Sequence, residues 1–169
     1  ALCLSKDYPM ILDHPEVDVL SSSVVEAGSF LKSLHDDGRL KTEFQPLDLA
    51  AGYHTPCHLK ALTPESPLLG LLSLIPDLRV RKIDEGCSGM AGVFGLTREN
   101  FETSIEIGRP LMQRMQSDEF QAGVTECSSC RMQMVQDTST PTLHPLKLMA
   151  LAYGLMPWLE QQLRPMRSG

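Results

Sequence analysis

Four cysteines stand where a folded chain could aim thiolates at one point. They are Cys57 in His54-Thr55-Pro56-Cys57-His58, Cys87 in Gly86-Cys87-Ser88-Gly89-Met90-Ala91-Gly92-Val93-Phe94-Gly95, and the pair in Glu126-Cys127-Ser128-Ser129-Cys130-Arg131. Thiolate sulfur is a soft ligand suited to zinc and to iron–sulfur chemistry, and a Cys-x-x-Cys pair also suits dithiol exchange. We read the four as one site. A four-thiolate zinc centre, a redox dithiol and ordinary buried cysteines are all compatible with these residues taken alone. His54 and His58 flank Cys57, where each could orient a thiolate, shuttle a proton or serve only the fold; His144 before Pro145 suits turn geometry.

These side chains need elements to deliver them. Ala51-Gly52-Tyr53-His54 reads as a strand ending at Cys57, the alternating Leu78-Arg79-Val80-Arg81-Lys82-Ile83 as a strand ending at the Cys87 loop, and Ala122-Gly123-Val124-Thr125 as a strand ending at Cys127. Strand, cysteine and helix thus recur three times. In an open parallel sheet the strand C-termini share one edge, and ligands bind there. At the Cys127 pair the following helix N-terminus would also favour thiolate. Four glycines in the ten residues from Gly86 mean that backbone approaches something closely in that loop.

Helices are expected where apolar residues repeat at helical spacing: near Leu4 to Leu12, from a Ser21–Ser23 cap to Leu34, and from Thr63-Pro64 through Leu68, Leu69, Leu71, Leu72 and Ile75. Further helices follow from a capping-box-like Thr97-Arg98-Glu99-Asn100 with Phe101, Ile105, Leu111, Met112 and Met115 on one side, from Cys127 to Met134, and from Leu146 to about Leu163. Met112, Met115, Met132, Met134 and Met149 fit core filling. The expected fold is a single three-layer α/β domain over 1–169, with a mostly parallel sheet of about four strands near Val17, Gly52, Val80 and Val124, flanked by helices.

Composition narrows the function. With 169 residues, 42% hydrophobic content and a net charge of -6, the chain has the makeup of a soluble globular domain. Fifteen Lys and Arg without a basic cluster argue against nucleic-acid binding. No run approaches the ~20 apolar residues of a membrane span, and the N-terminus lacks the charged-then-apolar order of a signal peptide, so a cytoplasmic setting is expected. Five cysteines without secretory context favour metal or redox chemistry over a disulfide framework. No Ser-His-Asp order, P-loop or dinucleotide fingerprint is present.

At Cys57, Gly86–Gly92 and Cys127–Cys130 the sequence resembles the cysteine-rich CCG domain family, which includes the B subunit of heterodisulfide reductase, the C subunit of anaerobic glycerol-3-phosphate dehydrogenase and the C-terminal regions of FAD-linked oxidases. Tyr53 to Leu59 and Gly89 to Gly95 are most similar to the latter two branches. The resemblance covers about Cys3 to Tyr153. It implies the second of two tandem modules, with residues 1–12 as the tail of the preceding module's motif and Cys3 as its remnant ligand; Cys3 and His14-Pro15 ahead of a helix echo Cys130 and His144-Pro145.

It also implies an iron–sulfur module that passes electrons from FAD on another domain or subunit towards a quinone or other acceptor, with peripheral membrane contact made through the parent protein. The implied ligands are Cys57, Cys87, Cys127 and Cys130. The family's double cysteine appears here as Cys87-Ser88, so the resemblance points to a 4Fe-4S cluster on four thiolates, with Ser88 a weak oxygen ligand or a hydrogen-bond donor to sulfur. The alternative is a structural or interaction domain whose cysteines hold zinc or nothing. The isolated chain is expected to lack a complete active site.

Overall fold

The computed structural model describes residues 1–136 and 138–163, and within 160–162 the backbone alone. The chain forms two compact units, one of residues 1–41 and 57–68, the other of 42–56 and 69 onward.

The first unit is helical. A π-helical turn over Cys3–Asp7 leads into α1 (Tyr8–Ile11), then α2 (Pro15–Ser23) and α3 (Ala27–Asp36); α4 (Cys57–Lys60) joins them from later in the chain. The expected strand near Val17 is therefore a helix. The cause is local: the His14 ring accepts from the backbone N–H of Glu16 at 3.3 Å, Pro15 occupies the first turn with its φ already helical, and Glu16 and Asp18 complement the positive end. Those signals outweigh the β-propensity of Val17 and Val19. Likewise α3 is capped by Glu26, which accepts from the N–H groups of Gly28 and Ser29 at 2.8 Å each, and not by the serines before it. The hydroxyls of those serines donate back to the carbonyls of Asp18 and Val19 and finish α2. Gly38, at φ 68°, lies just past the end of α3, as its sequence position suggests.

The second unit carries a sheet of four strands, all parallel, in the order β2-β1-β3-β4: β1 (Leu49–His54), β2 (Leu78–Ile83), β3 (Ala122–Val124) and β4 (Thr142–Leu143). The expected α/β class, with four parallel strands flanked by helices, is what the structure shows. The fourth strand is Thr142–Leu143, which takes the place assigned from sequence to the Val17 segment. Parallel pairing requires long crossovers, supplied by α5 (Pro67–Leu72), α6 (Phe101–Met115) and α7 (Ser128–Gln136). The helix expected from Thr63-Pro64 begins instead at Pro67, and the one expected through Leu163 is two, α8 (Pro145–Ala152) and α9 (Pro157–Leu163), parted by Gly154 at φ 73° and Pro157.

The core of this unit centres on Ile83, Leu111, Met115, Phe120 and Met134. Met112, Met115, Met134 and Met149 are buried as expected, whereas Met132 is 44% exposed. The buried face of α6 is Ser104, Gly108, Leu111, Met112 and Met115, at helical spacing, and Phe101 lies outside it. Its first half is lined by small residues because a loop backbone, and not a side-chain layer, lies on it.

Candidate functional site

That loop is the glycine-rich one. β2 ends at Ile83, and the chain reaches Cys87 four residues later. Glu85, at the loop's start, is 3.5 Å from the guanidinium of Arg114 on α6, which also pairs with Glu119 and stacks over the Phe120 ring at 4.7 Å. Gly89 takes φ 87°, and a Cβ there would lie 2.0 Å from the carbonyl oxygen of Ser104. A Cβ on Gly108 would lie 2.4 Å from the carbonyl oxygen of Ser88. Gly89 and Gly108 together let loop backbone and helix backbone touch.

On this seat the loop presents Cys87 exposed and Ser88 buried. Cys87 Sγ accepts from the backbone N–H of Gly89 at 3.3 Å. Ser88 Oγ donates to Cys130 Sγ at 3.2 Å. Both sulfurs are therefore addressed by donors from one three-residue stretch, the kind of hydrogen bonding that orients a sulfur ligand.

β3 ends at Val124, and Cys127 follows, partly exposed, immediately ahead of α7; its carbonyl accepts the Arg131 N–H at 2.9 Å, the first turn of that helix. Cys130 is buried within the same turn. The Cys-x-x-Cys pair thus sits at a helix N-terminus, as read from sequence. Val124 is in register with Tyr53 of β1, whose buried phenol donates to the Glu126 carboxylate, tying the segment before Cys127 to the central strand.

Cys57 belongs to the first unit, where it is exposed and opens α4 three residues beyond the end of β1. His54 is buried as the last residue of β1, and His58 is exposed. His144 caps α8 through Nδ1, accepting the Leu146 N–H at 3.2 Å, the counterpart of His14 on α2. Cys3 is exposed in the first helical turn of the chain. All five cysteines are free thiols, and among the described residues no group of three or more His, Cys, Asp and Glu side chains is arranged to hold a metal ion. What the second unit does offer is the donor set itself: soft sulfurs on two adjoining segments with N–H and O–H groups directed at them, which fits thiolate ligation.

Sequence reading missed Ser104, Gln133, and the pairing of Tyr53 with Glu126. The first two are buried polar residues on helix faces otherwise apolar. Ser104 and Gly108, small residues four apart on α6, were the available sign of close backbone approach.

A family model described as a cysteine-rich domain, CCG, matches residues 51–135. The chain is also similar to the C subunit of anaerobic glycerol-3-phosphate dehydrogenase from Escherichia coli strain K12, 34% identical over 149 residues, which is 88% of this chain and 37% of that protein. The same protein from Escherichia coli O157:H7 matches to the same extent. The chain therefore spans little more than a third of the length of these relatives.

Proposed function

The chain belongs to the cysteine-rich CCG domain family, and from that membership we propose that it is an iron–sulfur electron-transfer module of a flavin-linked dehydrogenase. Cys57, Cys87, Cys127 and Cys130 are its thiolate ligands, and the cluster, when bound, supplies one-electron transfer. The observation that carries the reading is the pair of donors on sulfur, Ser88 Oγ to Cys130 and Gly89 N–H to Cys87. Ser88 acts as a hydrogen-bond donor and leaves ligation to the four cysteines, which favours a 4Fe-4S cluster.

The similarity to a dehydrogenase component supports the rest of the assignment. FAD resides on a partner domain or subunit, a preceding module of the same kind supplies the other half of a tandem pair, and electrons pass towards a quinone or another acceptor. In this reading the module works in the cytoplasm. No described helix is long and apolar enough to cross a membrane, and any membrane contact is made through the partner. The chain alone turns over no substrate.

The second reading is a zinc-binding or metal-free interaction domain, since the same four thiolates are also a chemically competent zinc set. Anaerobic reconstitution with iron and sulfide, followed by electron paramagnetic resonance of the reduced protein, separates the two. A cluster signal is expected; reconstituted protein with no signal in either oxidation state would favour the second reading.

A further inference from the structure

We infer that Ser104 and Gln133 are positioning residues for the Cys87–Cys130 pair, because they close a buried ring of hydrogen bonds that fixes the cysteine loop against the helix carrying Cys130. The ring starts at Cys130 Sγ, which accepts from Ser88 Oγ at 3.2 Å. Ser88 is bonded to Gly89, whose carbonyl accepts from Ser104 Oγ on α6 at 3.0 Å. The Ser104 carbonyl and hydroxyl oxygens then accept from Gln133 Nε2 at 3.1 and 3.3 Å. Gln133 lies three residues after Cys130 on α7, one turn along the same helix face. Loop, α6 and α7 are thereby joined in one circuit that begins and ends beside Cys130.

Ser88, Ser104 and Gln133 are each 1% exposed or less, so water cannot replace a missing partner. The single hydroxyl hydrogen of Ser104 goes to Gly89 O at 3.0 Å and leaves Met90 Sδ, at 4.0 Å, in second place. Gly89 in turn sends its N–H to Cys87 Sγ, so the residue that Ser104 holds is the one that orients Cys87. A buried Gln in a helix whose other inward residues are Cys130 and Met134 has no packing need for its amide; the amide's partners on α6 account for it.

Hydrogen exchange by mass spectrometry on the full chain, kept metal-free under reducing conditions, tests the ring whether or not the iron–sulfur reading, on which its purpose rests, is right. Ser104→Ala removes the donor to Gly89, and Gln133→Met keeps length while removing the amide. Each should speed exchange over residues 86–92 by about tenfold, while β1 keeps its wild-type protection. Cobalt(II), used as a thiolate probe, should give its sulfur-to-metal charge-transfer absorption with wild type and bind each variant about tenfold more weakly. Absence of that absorption in wild type would count against thiolate metal binding and leave the exchange result to decide the ring. Unchanged exchange over 86–92, or an equal acceleration in β1, would overturn the inference.

Discussion

Ser88 Oγ donates to Cys130 Sγ at 3.2 Å, and both residues are buried although forty-two positions separate them in the chain. A serine hydroxyl is a hard, weakly acidic group that competes poorly with thiolate for iron. Bonded to a cysteine sulfur, it would spread that sulfur's charge and, in the proposed four-thiolate site, leave ligation to its neighbours. Ser88, beside Cys87 in the glycine loop, thus places a donor on the sulfur of Cys130.

Ser88→Ala should consequently retain most of the iron and acid-labile sulfide of reconstituted protein, because it removes one hydrogen bond worth roughly 0.5–1.5 kcal/mol. Cys87→Ala and Cys127→Ala each delete one of the four proposed soft ligands and should lose nearly all of it. Equal loss in Ser88→Ala and Cys87→Ala would make Ser88 a ligand and contradict the four-thiolate assignment.

Gly89→Ala combines a left-handed backbone angle with a Cβ 2.0 Å from Ser104 O, and should lower stability by at least ~2 kcal/mol in urea denaturation. Gly92→Ala has a similar angle, φ 71°, but nothing within 4 Å of its Cβ, so only the backbone cost of ~1 kcal/mol should remain. Equal midpoints for the two variants would show that the loop does not press on α6 as described.

Much of this was legible in the sequence, for physical reasons that particular residues illustrate. Leu78-Arg79-Val80-Arg81 alternates in polarity and marks β2, with Cys87 four residues beyond its end; the alternation stops at Lys82 and Ile83, where the lysine is exposed and the isoleucine enters the core. The same rule failed at Val17-Asp18-Val19, where a His-Pro start and acidic first turn decide for helix. The seat of the glycine loop was half visible: four glycines announced close approach, but what they approach, Ser104 and Gly108, lies outside any motif. The ring through Gln133 was hidden because it depends on a contact between residues twenty-nine apart, which local pattern does not encode.

Tyr53→Phe should cost ~1–3 kcal/mol of stability, since it removes the donor to the Glu126 carboxylate from a fully buried position without changing ring volume. Thermal unfolding checks this. A neutral result would show that the phenol–carboxylate bond does not anchor the end of β3 to β1.

Tyr153 packs against Phe44 with ring centroids 4.7 Å apart and the planes tilted by 46°, and burial, followed by repulsion from Glu43, raises its pKa above the usual 10.0. A folded-state pKa above the unfolded one contributes stability that is complete below pH ~10 and is lost as pH rises through the folded value. Tyr153→Phe should flatten that alkaline decline in a pH series of denaturation midpoints, with the neutral-pH midpoint changed far less. An unaltered alkaline slope would place the titrating group elsewhere.

The central claim, that these cysteines serve iron–sulfur electron transfer, is tested most directly by metal analysis of protein purified throughout without oxygen. Iron and acid-labile sulfide in equal amounts, near four of each per chain for a 4Fe-4S cluster and with little zinc, is the expected result. Stoichiometric zinc with no iron or sulfide would contradict it and make the cysteines a structural site.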